Sequence, residues 1–291
     1  MPNRLAAPLA QPDTDSCLAL LKTLAPSIGL AELRLDLMQT FDLPRLIAES
    51  PCPLIITCRP PREGGRFAGS EEARLDILAQ AMELGYAYVD VEWDSLDWLA
   101  AQKRTQTRVI ASRHWHAHMP EDLWPVYTGL RAQVDVVKLV GTARRPLEMF
   151  PVFDLLRRAT TPVIGIAMGA AGQLTRLLAP CFEQCLLTYA APTVDGATAP
   201  GQFTVREMTD LYHVPALGPQ TAIDLQLCAS AEAAQAFTAK NASVVPGERV
   251  YAAFVTPPDE AEAIASGLQA CLPHLTLTAE AALGLALGVP S

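Results

Sequence analysis

Short apolar runs alternate with amphipathic stretches through the first two hundred residues. The runs at 4–9, 31–37, 53–59, 87–92, 108–112, 134–140, 163–168 and 185–189 have strand length and are bounded by turn-forming residues. Between them, apolar positions recur at helical spacing. The clearest helix opens at Ser70, whose hydroxyl can cap free N–H groups, and carries Glu71 and Glu72 where the helix dipole favours acids. It places Leu75, Leu78 and Met82 on one face, and Gly85 suits the left-handed residue that ends a helix. Strand and helix alternating at intervals of roughly 25 residues predict a parallel sheet closed as a (β/α)8 TIM barrel. An open doubly wound sheet is the rival, but no G-x-G-x-x-G follows the first strand. That first strand is the least marked, being alanine-rich and poor in β-branched residues.

After about Met208 the texture changes. Residues 209–291 are rich in alanine, carry scattered prolines and lack strong charge clusters. With no glycine- or serine-rich linker, this segment is expected to pack on the barrel as a small α+β appendage. The division expected is 1–206 and 207–291.

Composition narrows the partners. The formal net charge of −9 argues against nucleic acid and against an anionic membrane surface. It leaves room for a small anion, which needs only a local group of arginines. Seven cysteines, an odd number without repeated C-x-x-C spacing, read as reduced and mostly buried thiols of a cytoplasmic protein. Cys181 and Cys185 could serve a metal, but one turn of core accounts for them better. No run approaches the ~20 apolar residues of a membrane span.

Candidate chemistry lies where polar residues interrupt apolar strands, since barrel enzymes work at the carboxyl ends of their strands. Glu32, Arg34 and Asp36 share a face by period-two alternation. Arg59 ends the next strand, and Glu63 follows in Glu63-Gly64-Gly65, a loop able to approach a ligand closely. Lys138, inside Val136-Val137-Lys138-Leu139-Val140, is the sharpest anomaly. Pointing into a barrel it would be desolvated and lowered in pKa, which makes an amine nucleophilic towards ketones. From the strand alone, a paired structural lysine is equally compatible. His114 opens His114-Trp115-His116-Ala117-His118; a single catalytic histidine accounts for the run better than a metal site, which lacks a nearby carboxylate or cysteine. Met168-Gly169-Ala170-Ala171-Gly172 precedes a helix carrying Arg176, which suits an anion: phosphate, or equally a carboxylate gripped by the guanidinium. Thr198-Ala199-Pro200-Gly201-Gln202 after the eighth strand reads as a mobile cover or an ordinary turn.

Taken together these segments resemble type I 3-dehydroquinate dehydratase, the Schiff-base class. The matches are Glu32-Leu33-Arg34-Leu35-Asp36, Arg59 with Glu63-Gly64-Gly65, Val89-Asp90-Val91-Glu92, Ser112 with His114, Val136-Val137-Lys138, Met168-Gly169 with Arg176, and Ala199-Pro200-Gly201-Gln202. They run in the family's order over residues 1 to about 206. The resemblance implies a cytoplasmic lyase of the shikimate pathway and aromatic amino acid biosynthesis, acting on 3-dehydroquinate without metal or other cofactor, with a homodimer as a candidate assembly. It implies Lys138 as the imine-forming lysine, His114 as base and acid, and Glu63 as the group that orients His114. Arg176 would hold the substrate carboxylate with Gln202 and Thr198; Glu32, Arg34 and Arg59 would bind ring hydroxyls, and Met168 would pack on the ring. Trp115 stands where the family commonly has aspartate, Arg113 is an unusual neighbour, and Thr198 replaces a more usual serine. These departures bear on rate and pH optimum.

The tail carries a second resemblance. Leu211-Tyr212-His213-Val214, Val250-Tyr251-Ala252-Ala253-Phe254-Val255-Thr256-Pro257-Pro258 and Leu275-Thr276-Leu277-Thr278 look like parts of the shikimate dehydrogenase substrate domain. The Pro-His-Lys expected after the last of these is absent, as is the serine pair for shikimate, which implies a degenerate remnant without dehydrogenase activity. Two other readings compete for the barrel. A catalytically weak or non-enzymatic shikimate/quinate-pathway sensor or scaffold should have lost some of Lys138, His114 and Glu63, yet all three stand. A class I aldolase would share Lys138 but would not need the Glu-Gly-Gly loop.

Overall fold

The computed structural model describes residues 3–103, 105–241, 249–272 and 274–285. Eight parallel strands form the main body: β1 (Leu5–Leu9), β2 (Leu30–Arg34), β3 (Leu54–Thr57), β4 (Tyr88–Glu92), β5 (Arg108–Trp115), β6 (Val136–Thr142), β7 (Val163–Met168) and β8 (Thr188–Tyr189). Helices α1 (Thr14–Leu24), α2 (Leu43–Glu49), α3 (Glu71–Leu84), α4 (Leu96–Ala101), α5 (Trp124–Leu130), α6 (Phe150–Arg158) and α7 (Gln173–Leu178) lie between successive strands, and α8 (Val205–Asp210) follows β8. Neighbouring strands run β7-β6-β5-β4-β3-β2-β1-β8. The segment before β8 closes the ring on β7: Leu186 N–H donates to the Val163 carbonyl at 2.9 Å, and Val163 N–H to that of Gln184 at 2.8 Å. The expected (β/α)8 barrel is therefore present.

Alternation divides each strand between two cores. Ala6, Ile55, Tyr88, Ile110, Val136, Ile164 and Leu187 fill the barrel interior. Leu33, Ile56, Val89, Val91, Ala111, Val137 and Leu139 face the helices. The alanines that make the first strand the least marked, Ala6 and Ala7, are fully buried in β1. In β6 the parity is decisive: Val136 and Val140 belong to the interior while Val137 and Leu139 face outward, so Lys138 points into the barrel.

Helix α3 begins and ends as the sequence predicts. Ser70 Oγ accepts the Ala73 N–H at 3.2 Å, and Gly85 takes φ 80°. Its buried face, however, is Arg74, Leu78, Ala81 and Met82, with Leu75 only half-buried. β5 outruns the expected 108–112, so His114 stands in a strand, and β8 is shorter than 185–189.

The appendage differs from the α+β expectation. β9 (Ala222–Cys228), β10 (Arg249–Val255) and β11 (Leu275–Ala279) form a three-stranded sheet in the order β10-β9-β11, parallel throughout, with α9 (Ala231–Asn241) and α10 (Ala261–Cys271) as crossovers. It is thus an α/β unit, because β9 and β10 are each followed by a crossover helix rather than by a hairpin turn. Glu260 pairs with Arg145 in the loop after β6, and Gly267 lets α10 lie against the ring of Phe150 on α6. Among the described residues no helix is long and apolar enough to cross a membrane. Residues 286–291 of the expected second unit lie outside the described residues.

Candidate active site

The interior of strands β2 to β6 changes from apolar to polar one inward step along each strand. Leu30 gives way to Glu32 and Arg34, Ile55 to Thr57 and then Arg59, Tyr88 to Asp90 and Glu92, Ile110 to Ser112 and His114, and Val136 to Lys138. The result is a pocket at the carboxyl ends of the strands. All ten residues expected from sequence to form the site line it: Glu32, Arg34, Arg59, Glu63, His114, Lys138, Met168, Arg176, Thr198 and Gln202.

Lys138 is buried on the floor. Its Nζ lies 2.8 Å from Asp90 Oδ2, 3.1 Å from Glu32 Oε1 and 3.3 Å from the Tyr189 hydroxyl. Here the sequence expectation is corrected. Burial does work to lower the lysine's pKa, but Asp90, Glu32 and Tyr189 more than offset it and hold it above the ordinary value. Lys138 is an ammonium in the free protein. Burial likewise works to raise Asp90, while Arg59 and Lys138 hold it well below the usual carboxylate range.

Arg59 joins the floor to the barrel wall. It contacts Asp90 Oδ2 at 2.9 Å and Glu92 Oε1 at 2.8 Å, and donates to Ser112 Oγ at 2.6 Å. Ser112 in turn donates to Asp90 Oδ1 at 2.5 Å. From the opposite side of β4, the fully buried Arg74 reaches Glu92 Oε2 at 2.5 Å. Sequence reasoning assigned no role to Asp90, Glu92, Ser112, Arg74 or Tyr189. The first three had a visible signal, a polar residue on the inward parity of an apolar strand. Arg34 forms a bidentate pair with buried Asp36, at 2.9 and 2.8 Å.

Beside the lysine stands an oriented imidazole. Glu63 Oε2 accepts both the backbone N–H of His114, at 2.8 Å, and its ring Nδ1, at 3.0 Å. A proton on Nδ1 leaves Nε2 as the basic nitrogen for a ligand. Burial, reinforced by Arg59 and Lys138, lowers His114 well below its ordinary pKa, so the ring is neutral. Burial raises Glu63, opposed by the His114 backbone N–H, Arg59 and Trp93. His116 also lines the cavity; its ring is parallel to that of His114, with centroids 5.9 Å apart. Among the described residues, no group of three His, Cys, Asp or Glu side chains is placed to hold a metal. Cys181 and Cys185 are free and buried, and burial pushes both thiols up to about 12.

The loop that delivers Glu63 depends on Gly65, where an added Cβ would sit 1.9 Å from the Arg59 carbonyl oxygen. Gly65→Ala must therefore separate two backbone segments and carry Glu63 away from His114. The expected result is a Tm several degrees lower and turnover reduced by roughly ten-fold or more, read by calorimetry and steady-state assay. Wild-type values for both would refute this account of the loop.

Arg176 closes the far wall. It is 1% exposed, and its Nε has no hydrogen-bond partner among the described residues. Burial alone lowers its pKa, to about 10. A guanidinium left in this state beside an open cavity is arranged for an anion. Over it, Gln202 Oε1 accepts the N–H groups of Thr198 and Ala199, at 2.8 and 3.3 Å. The segment is pinned where Gly169 N–H donates to the Pro200 carbonyl at 3.2 Å; Gly201, at φ 74°, passes too close to Gly169 for a side chain.

Comparisons with known proteins show what the chain is similar to. The family model described as Type I 3-dehydroquinase matches residues 5–218. The bifunctional 3-dehydroquinate dehydratase/shikimate dehydrogenase of Arabidopsis thaliana is 35% identical over 209 residues, 67% of this chain but only 34% of that protein. A 3-dehydroquinate dehydratase of Desulfotalea psychrophila is 33% identical over 194 residues, covering 62% of this chain and 84% of that one. Among solved structures, the 3-dehydroquinate dehydratase of Geobacillus kaustophilus superimposes with TM-score 0.60 at 22% identity, over 71% of this chain and 88% of its own. The dehydroquinate dehydratase and shikimate dehydrogenase of S. pombe AroM does so with TM-score 0.62 at 21% identity, over 96% of this chain and 57% of its own. The chain belongs to the type I 3-dehydroquinase family.

Proposed function

We propose that the barrel dehydrates 3-dehydroquinate to 3-dehydroshikimate through an imine on Lys138. The observation that carries this reading is the placement of Lys138 and His114 on adjacent strands. Ser112 pairs with Lys138 and His114 with Val140, so the base stands one inward step above the amine. The ammonium first loses a proton, for which Asp90 and Glu32 lie within 3.1 Å. The amine adds to the C3 ketone and water leaves, giving a protonated imine that draws electrons from C2. His114 Nε2 takes the C2 proton and returns it to the departing C1 hydroxyl, which leaves as water. Hydrolysis then frees product and Lys138. Glu63 stabilises the transient imidazolium, Arg176 grips the carboxylate with Thr198 and Gln202, Met168 packs on the ring, and Glu32, Arg34 and Arg59 face its hydroxyls. Arg59 and Arg34 do so while held by Asp90, Glu92 and Asp36, which fixes their geometry.

We also place the end of this unit near residue 206, within α8, and read 207–291 as a degenerate relative of a shikimate dehydrogenase substrate domain. Its parallel strands and the coverage of the S. pombe structure support that reading. After β11 the chain continues Glu280-Ala281-Ala282-Leu283, which offers no lysine.

The test is chemical trapping. Incubation with 3-dehydroquinate and borohydride should fix an adduct on Lys138, located by peptide mass spectrometry, while untreated enzyme produces the enone absorbance of dehydroshikimate. No adduct at Lys138 together with no absorbance change would end this proposal.

A further inference from the structure

Glu63 is held on two sides. Its Oε2 serves His114, and its Oε1 accepts the indole N–H of Trp93 at 3.2 Å. Trp93 follows β4 directly and is 37% exposed, so the apolar core does not fix it. A cation does. The Arg113 guanidinium lies 4.1 Å from the centroid of the Trp93 ring and 4.7 Å from that of Trp115. Arg113 and Trp115 flank His114 in β5.

Taking the proposed base mechanism as its ground, we propose that Trp93 is a positioning residue for His114. Its N–H fixes the orientation of Glu63, and Arg113, clamped between Trp93 and Trp115, fixes the indole. A carboxylate is free to rotate about its last bond, and rotation would trade the oxygen presented to His114. A donor on each oxygen removes that freedom. The arrangement also acts on charge. Glu63 faces Arg59 at the end of β3, His114 on β5, and Trp93 and Asp94 after β4. Asp94 opposes its ionisation but is itself paired with Arg62 at 2.8 Å. The Trp93 N–H favours the anion, the form that holds His114 with Nδ1 protonated.

Trp93→Phe keeps an aromatic face for Arg113 and deletes only the donor. The expected result is a fall in kcat of about ten-fold with KM within about two-fold, the size seen when groups that orient a reacting residue are lost. The acid limb of the kcat profile moves to higher pH, because a carboxylate with one donor fewer is protonated more readily. In a Glu63→Ala background the same substitution should change kcat by less than about two-fold. A readout independent of turnover follows the indole Nε1–H resonance of Trp93 in 15N-labelled enzyme, assigned by its loss in Trp93→Phe. That signal should titrate in wild type and lose the Glu63 transition in Glu63→Gln. Because it needs no catalysis, it separates failure of this proposal from failure of the imine mechanism. Wild-type kcat and acid limb in Trp93→Phe, an equal loss in the Glu63→Ala background, or a resonance indifferent to residue 63 would each overturn it.

Discussion

Lys138→Arg should fold, bind and do nothing. Turnover of 3-dehydroquinate is expected to fall by roughly 10⁵-fold or more, the scale on which enzymes lose activity when a covalent nucleophile is removed. Arginine is the more telling replacement because it separates charge from nucleophilicity. The guanidinium keeps a cation opposite Asp90 and Glu32, so the buried carboxylates are not stranded. Lys138→Ala removes the cation too, and should add a stability loss of about 3–5 kcal/mol, the usual consequence of breaking a buried ion pair from one side. Both variants should still bind the product, since Arg176 and Gln202 are untouched. Turnover above about 1% of wild type in Lys138→Arg would exclude an obligatory imine on this residue.

Much of this site could be read before any coordinates, and for one reason. A barrel strand has an inward parity and an outward parity, so a polar residue in an apolar run must face either the cavity or a helix. Lys138, Glu32 and Arg34 announced themselves that way. β7, apolar along all its length, was bounded to the residue at 163–168. β5 was cut short at 112 because Ser112-Arg113-His114-Trp115 abandons apolar alternation where the chemistry begins, and functional residues are the ones that break a folding pattern. Other features depended on partners distant in the chain. The ammonium state of Lys138 is set by carboxylates on β2 and β4, whereas the strand alone shows only its burial. Arg74 has the sequence context of an exposed helical residue, beside Glu71 and Glu72. Its burial follows from reaching past the helix–sheet layer to Glu92, and this shifts the inner face of α3 by one residue from Leu75. The appendage differs from the α+β expectation because nothing in Ala222–Cys228, Arg249–Val255 or Leu275–Ala279 states the direction of its neighbours.

On the proposed reading Arg176 exchanges stability for binding, and Arg176→Met should reverse the exchange. Its guanidinium is buried with Nε unpartnered among the described residues. Burial has brought its pKa down to about 10. For a cation the sign is unambiguous: a folded pKa below the unfolded one means the charged side chain disfavours the fold at neutral pH. That cost fades only as pH rises through about 10 towards the unfolded value. A shift of this size corresponds to a penalty on the order of 3 kcal/mol. Methionine has similar length and carries no charge, so urea unfolding at pH 7 should show a variant more stable by about 1–3 kcal/mol. The substrate pays the opposite way. Loss of a charge-assisted, desolvated contact with its carboxylate should raise KM by roughly 10²-fold. The two effects also predict a difference in ligand response: product at saturating concentration should raise the Tm of wild type and leave that of Arg176→Met nearly unchanged. A variant less stable than wild type, with KM unaltered, would mean that Arg176 has a partner in the free protein and that the carboxylate is held elsewhere.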